Sequence, residues 1–298
     1  MTNWIRGTFS VVATPFDANG VVDLAAMAAY TEWQVAEGIH GLIPLGSTGE
    51  FLSMTGAERY EFAICVIDTV ASRVPVLIGT GAEYTDDAIR YSQQAETLGA
   101  DGVMIIPPFY STPTEDEIFE HFRRIAEAIT IPVMSYNNPA TANVDLTPAI
   151  VARLSTIPGV DYIKESTMDV ARVRDILDLC GGRMTVFGGI MGYEFFMNGA
   201  EGWVAVGSNL MPRECSRLIE LSVDEKDVDA ARALYRQILP VIRLVGSHRY
   251  VAATKSALGM LGHAVGEPRA PRLPTPDAEI EDVCAALTAA GLTPQQEA

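Results

Sequence analysis

Short apolar runs recur along this chain about every thirty residues, each led by a glycine and a brief turn. Gly38-Ile39-His40-Gly41-Leu42-Ile43-Pro44-Leu45 has the form of Gly99-Ala100-Asp101-Gly102-Val103-Met104-Ile105-Ile106, and of Gly199-Ala200-Glu201-Gly202-Trp203-Val204-Ala205-Val206. The leading glycine can end a helix in the left-handed conformation, and the apolar run that follows reads as a strand. A second phrase, Val74-Pro75-Val76-Leu77-Ile78, recurs as Ile131-Pro132-Val133-Met134-Ser135. Proline fits there because it opens the strand, where a ladder donor is least missed. Between the runs, apolar residues take helical spacing. Phe62, Ala63, Val66, Ile67 and Val70 form one face within Ala57–Val70, and Ile118, Phe119, Phe122, Ile125, Ala126 and Ile129 form another within Glu115–Ile129. Unbroken apolar strands alternating with helices indicate parallel strands buried on both faces. Strands are expected near 8–13, 41–45, 76–80, 102–106, 133–136, 160–164, 185–188 and 202–206. Eight such units fit a (β/α)8 TIM barrel better than an open doubly wound sheet.

From about residue 224 the rhythm changes. Val228–Leu244, Tyr250–Leu261 and Asp277–Ala290 read as helices without strands between them, and the Pro-rich link 267–274 separates the last two. The expected organisation is therefore a catalytic barrel over 1–223 and a three-helix extension over 224–298.

Composition narrows the function. The chain has 298 residues, 48% of them apolar, so it can bury a substantial core. Its net charge of −17 disfavours nucleic acid and anionic lipid as partners. No uncharged stretch approaches the roughly 18–20 residues that span a bilayer, and the N-terminus has no secretory pattern. Cys65, Cys180, Cys215 and Cys284 are scattered and have no ligand spacing, which suits reduced thiols in a cytoplasmic protein. His40, His121, His248 and His263 fall at no ligand spacing either, so structural or solvated roles are expected, and no metal site.

The chemistry of such a barrel belongs at the C-terminal strand ends. Lys164 ends the sixth strand in Val160-Asp161-Tyr162-Ile163-Lys164-Glu165-Ser166. Burial there favours the neutral amine that attacks a carbonyl, and an ion pair with Glu165 is the structural alternative. Gly46-Ser47-Thr48-Gly49-Glu50, after strand two, offers backbone N–H groups and two hydroxyls suited to a carboxylate; a turn capping the next helix is the other reading. Tyr136, in Tyr136-Asn137-Asn138-Pro139, can relay protons beside a lysine or be a buried aromatic. Tyr110, in Pro107-Pro108-Phe109-Tyr110, can serve a site or an interface.

Together these motifs resemble the dihydrodipicolinate synthase and N-acetylneuraminate lyase family of class I aldolases, from Gly7-Thr8-Phe9 to about Pro274. The resemblance implies an imine on Lys164 with a pyruvate-like 2-oxo acid, a proton relay through Tyr136 and Thr48, and carboxylate binding by Ser47 and Thr48. It also implies that Tyr110 reaches a neighbouring subunit in a homotetramer, and that no cofactor is needed. Thr48, Tyr110, Tyr136 and Lys164 are the expected catalytic set. Ser47, Thr48, Gly49, Thr141, Ser166, Gly188 and Val204 are the expected substrate-binding set.

The chain departs from the family's two best-marked specificities. Thr141 stands where the lysine-pathway synthases typically place an arginine, and Gly188-Gly189-Ile190-Met191-Gly192 lacks the acids of the sialate lyases. A third specificity is expected, such as a 2-keto-3-deoxy or 4-hydroxy-2-oxo acid. The alternatives are condensation of pyruvate with aspartate semialdehyde, a phosphate-binding barrel using Gly188-Gly189 and Gly207-Ser208, and a non-catalytic binding protein on the same fold.

Overall fold

The apolar runs form strands because both of their faces are covered. In the computed structural model, which describes residues 5–247 and 249–295, all five residues of Gly7–Val11 are buried, as are all four of Thr185–Gly188. The strands are β1 Gly7–Val11, β2 Gly41–Ile43, β3 Leu77–Gly79, β4 Gly102–Ile105, β5 Val133–Asn137, β6 Val160–Glu165, β7 Thr185–Gly188 and β8 Gly202–Ala205. Helices alternate with them: α1 Leu24–Ala36, α2 Gly56–Val70, α3 Thr85–Thr97, α4 Glu115–Glu127, α5 Pro148–Leu154, α6 Ala171–Cys180, α7 Tyr193–Phe196 and α8 Pro212–Ile219. α9 Val228–Val245, α10 Tyr250–Met260 and α11 Asp277–Ala289 follow.

One sheet holds all eight strands in the order β2-β1-β8-β7-β6-β5-β4-β3. The β1–β2 pair and each consecutive pair from β3–β4 to β7–β8 are parallel. This is the (β/α)8 TIM-barrel class expected from the sequence. Gly38, Gly99 and Gly199 take φ of 82°, 88° and 100°, the left-handed geometry expected where a helix hands over to a strand. α2 and α4 each open on a capping box, Thr55 with Glu58 and Thr114 with Glu117, which satisfies orphan N–H groups of the first turn.

The chain groups into two compact units. One holds Pro75–Val204 and the segment ending at Gly7, and its largest buried side chains include Phe122, Phe187, Phe195 and Trp203. The other holds Thr8–Val74 and the chain from Ala205 onward, with Phe9, Phe62 and Met27 in its core. Each fully buried Phe stabilises its core by about 1.5–3 kcal/mol. The three C-terminal helices belong to this second unit. α9 buries Ala231, Tyr235, Ile238, Val241, Ile242 and Val245 on one face, whereas α11 buries Val283 and Leu287.

Candidate active site

β5 and β6 place two chemical groups side by side. Tyr136 and Lys164 are register partners near the C-terminal ends of these strands, and both are buried. The Lys164 Nζ lies 3.9 Å from the centroid of the Tyr136 ring. Burial lowers the pKa of Lys164, while Tyr136, as a neighbouring charge and hydrogen-bond partner, pulls the other way. The Tyr136 phenol oxygen accepts a 2.9 Å hydrogen bond from Asn138 Nδ2.

Glu165 does not pair with Lys164. Successive residues of a strand point to opposite faces, and the Glu165 carboxylate meets other partners. It accepts from Asn137 Nδ2 at 2.9 Å and from the Thr167 N–H at 2.7 Å, and it lies 4.0 Å from Arg172 Nη1. The ion-pair reading of Lys164 is thereby set aside.

Ser166 continues the extended chain, its N–H donating to Asn137 O at 3.1 Å. Two residues beyond Lys164, it returns to the lysine's side of the strand. Its Oγ is buried and has no hydrogen-bond partner among the described residues. Gly189 leaves room for it, since a Cβ there would stand 1.8 Å from that Oγ. Gly188 ends β7, where a Cβ would meet Met191 O at 2.3 Å. Both glycines are thus required by close packing. Ser208, of the Gly207-Ser208 step in the phosphate-binding alternative, donates its Oγ to Ala205 O at 2.8 Å. Val204 is fully buried in β8.

Tyr110 is 85% exposed, so its ring stands in solvent on the single chain, but its backbone is held firmly. The Glu83 carboxylate accepts from three consecutive N–H groups, those of Phe109, Tyr110 and Ser111, at 2.8–3.0 Å. Asn143 Nδ2 donates to Tyr110 O at 2.8 Å. Thr141 is exposed, and its hydroxyl turns back onto Asn138 O at 3.3 Å. Glu83, Asn137, Asn138, Asp145 and Arg172 were not singled out from the sequence. Asn137 and Asn138 carried a signal, being inside the Tyr-Asn-Asn-Pro motif.

The Ser47–Gly49 loop belongs to the other unit. Two non-glycine residues in left-handed geometry bracket it, Leu45 at φ 62° and Glu50 at φ 55°. Gly49 is required because a Cβ there would come within 2.9 Å of Val12 O. Thr48 is buried and Ser47 half-buried. Glu50 anchors the loop's end: its Oε1 is 3.1 Å from Lys255 Nζ, and its Oε2 accepts from the Arg269 N–H at 3.0 Å.

The histidines take structural positions. His40 Nδ1 accepts from the Thr8 N–H at 3.1 Å, His263 stacks on Trp33 with centroids 3.9 Å apart, and His121 Nδ1 meets Thr85 Oγ1 at 2.9 Å. His248 lies outside the described residues. Among the described residues, no three His, Cys, Asp or Glu side chains gather into a metal-ligand group. Nor, among the described residues, is any helix long and apolar enough to cross a membrane.

An amine whose pKa is lowered by burial gives up its proton more readily, the neutral form attacks a carbonyl carbon, and an adjacent phenol can carry the protons that such an attack moves. Such a pair on this fold suits a Schiff-base-forming lyase of the class I, metal-independent kind. The sequence model of the Dihydrodipicolinate synthetase family matches residues 4–290, and the chain belongs to that family. It is 33% identical over 289 residues to the 4-hydroxy-tetrahydrodipicolinate synthase of Pelobacter propionicus, covering 96% of this chain and 99% of that protein. The synthase of the same name from Hyphomonas neptunium is 35% identical over 298 residues, with 96% and 99% covered. Among solved structures, the chloride-inhibited dihydrodipicolinate synthase from Acinetobacter baumannii complexed with pyruvate superposes with a TM-score of 0.94 at 30% identity, covering 97% of this chain and 99% of that one.

Proposed function

We propose that the protein forms an imine between Lys164 and a pyruvate-like 2-oxo acid and breaks or makes a bond to a hydroxylated carbon of that acid. The observation that carries this reading is the buried Lys164 amine 3.9 Å from the Tyr136 ring. Lys164 Nζ attacks C2 of the oxo acid, and the carbinolamine loses water to give the imine. With a 4-hydroxy-2-oxo acid, the C4 hydroxyl then gives up its proton and the C3–C4 bond breaks. Its electron pair enters the C2–C3 enamine, and C4 leaves as an aldehyde. The enamine regains a proton at C3, and water hydrolyses the imine to free pyruvate and Lys164. Tyr136 carries protons on and off the carbinolamine. Loss of water from a 3-deoxy-2-oxo acid takes another course: the imine gives up a C3 proton, and the resulting enamine, which keeps C4, expels the C4 hydroxyl, which takes up a proton and leaves as water.

Ser47, Thr48 and Gly49 are assigned to the substrate carboxylate by their motif, and Gly188 and Val204 to the walls. Tyr110 is assigned to a neighbouring subunit's site within a homotetramer, in keeping with its exposed ring and fixed backbone. We assign catalysis to 1–223 and a supporting role to 224–298. With all four cysteines free, the reading places the enzyme in the cytoplasm.

The substrate class rests on Ser166 and Thr141. A buried serine hydroxyl without a partner, on the lysine's side of β6, suits a substrate hydroxyl. Thr141 supplies no positive charge for a second carboxylate. Lys255 and Arg249 of the C-terminal region do not supply it either: Lys255 pairs with Glu50 at 3.1 Å and Arg249 with Glu279 at 3.2 Å. The second reading, condensation with aspartate semialdehyde, is favoured by the names of the relatives. Without a charge-assisted partner, that substrate would bind weaker by about 1.5–3 kcal/mol. The test is kcat/KM for a set of 3-deoxy- and 4-hydroxy-2-oxo acids against pyruvate plus aspartate semialdehyde. The hydroxylated acids should lead by about tenfold or more. A lead for aspartate semialdehyde would replace this reading with the second.

A further inference from the structure

Behind the Tyr136–Lys164 pair, on the opposite face of the same two strands, lies a polar cluster that the chemistry above does not use. Asn137 and Glu165 are register partners one position beyond Tyr136 and Lys164, and both are fully buried. Asn137 spends its whole amide: Nδ2 donates to Glu165 Oε2 at 2.9 Å and to Asp145 Oδ1 at 3.1 Å, and Oδ1 accepts from the Leu146 N–H at 2.8 Å. Arg172, at the start of α6, grips Asp145 with both arms of its fork, at 2.6 and 2.7 Å. Such two-point contacts fix direction as well as distance.

The segment closed off by these contacts is 138–146. Within it, Asn138 donates to the Tyr136 phenol oxygen, and Asn143 holds the backbone of Tyr110. We propose that Arg172 is a positioning residue: by clamping Asp145 it fixes the 138–146 segment, and so sets the direction of the Tyr136 phenol through Asn138 and the Tyr110 backbone through Asn143. Lys164 lies on β6, outside the 138–146 segment, so imine formation and proton relay become separable. The inference rests on the Schiff-base reading given above.

The experiment uses the full chain and pyruvate as the probe. Borohydride labelling of Lys164 reports the imine, and exchange of the pyruvate C3 protons with D2O, followed by NMR, reports passage between imine and enamine. Arg172→Ala should keep saturating label on Lys164 while C3 exchange slows by about tenfold to a hundredfold, as expected when a proton-carrying group is misplaced by about an ångström. Millimolar guanidinium should restore much of the exchange, and an equal concentration of tetramethylammonium should not. Arg172→Lys, which keeps the charge but loses the fork, should fall between. Unchanged exchange in Arg172→Ala would overturn the proposal. So would a loss of label and exchange in step with a fall in Tm, unrelieved by guanidinium, because that pattern marks a merely structural arginine. Absence of label in the unsubstituted protein would instead overturn the Schiff-base reading, and this inference with it.

Discussion

Two lysines in this protein are almost equally buried, and their surroundings differ. Lys164 is 5% exposed and Lys255 2%. Each lies over an aromatic ring, Lys164 Nζ at 3.9 Å from Tyr136 and Lys255 Nζ at 4.3 Å from Phe16. Desolvation lowers both pKa values. The difference lies in what else each ammonium would meet. Lys255 has three oxygens waiting: Thr14 O at 2.8 Å, Glu267 O at 3.1 Å and the Glu50 carboxylate at 3.1 Å. Its charged form donates to two carbonyls and is paired with a carboxylate, so its nitrogen has no reason to attack anything. Through Glu50 it anchors the end of the Ser47–Gly49 loop. Lys164 faces a phenol, and the acid next to it in sequence is turned away onto Asn137 and Thr167. Burial alone does not make a lysine a nucleophile. The amine must also be free of a carboxylate partner.

The sharpest way to break this contrast is to remove each lysine in turn. Lys164→Ala should abolish turnover in steady-state assays while leaving Tm near that of the unsubstituted protein. If Lys164→Ala keeps measurable turnover, the assignment of roles is wrong. Tyr136→Phe comes next. It keeps the ring under the amine but removes the phenol, and kcat should fall by roughly 10²–10⁴ with a smaller change in KM. A kcat within a few-fold of the original would make Tyr136 a packing aromatic like Phe16. Lys255→Met should instead act on the fold. It takes the ion-pair partner from Glu50 Oε1 in the interior, while Oε2 keeps the Arg269 N–H, and should cost up to about 3–5 kcal/mol in urea unfolding. A Lys255→Met protein as stable as the original would show that the Glu50 pair anchors nothing.

Much of this was legible in the chain. The eight strands were readable because burial on both faces leaves continuous apolar runs, and β1 to β8 fall within those expected runs or a residue beyond them. The placement of Tyr136 and Lys164 was readable because each lies near the end of a strand, inside a short motif. Even the fate of Glu165 was available in principle, since adjacent strand residues face apart. The clamp behind them was not. Asp145 and Arg172 are 27 residues apart and lie outside regular strands, and nothing in their spacing tells a fork-shaped contact from two solvated charges. Glu83 is likewise separated by 26 to 28 residues from the three N–H groups that it gathers. The partner of Lys255 was not legible either, because helical periodicity places that lysine on α10 but cannot name Glu50.

A third buried base sharpens the comparison through pH. His121 is held neutral, its pKa lowered to about 4 by burial and, second, by the nearby Arg124 charge. The unfolded chain therefore takes up this proton first. The stability tied to it is intact above about pH 6.5 and is lost as pH falls toward 4, by about 3 kcal/mol in all. His121→Gln should flatten the slope of unfolding free energy against pH in that window; an unaltered slope would mean that other groups set it. The smallest effect belongs to Ser166→Ala. Losing one neutral hydrogen bond to a substrate hydroxyl should lower kcat/KM for a 4-hydroxy-2-oxo acid by about 0.5–1.5 kcal/mol, and pyruvate labelling should not change. Equal losses for both would place Ser166 in the imine chemistry instead.

The most direct test of the central claim is favoured by the sequence itself, which contains three lysines, Lys164, Lys226 and Lys255. Lys226 is exposed and Lys255 is paired. The protein is incubated with pyruvate, reduced with borohydride, digested and mapped by mass spectrometry. The account expects one reduced pyruvyl group per chain, on Lys164, because only an imine is reduced to a stable amine. A label on Lys226 or Lys255, or none with any 2-oxo acid, would contradict it.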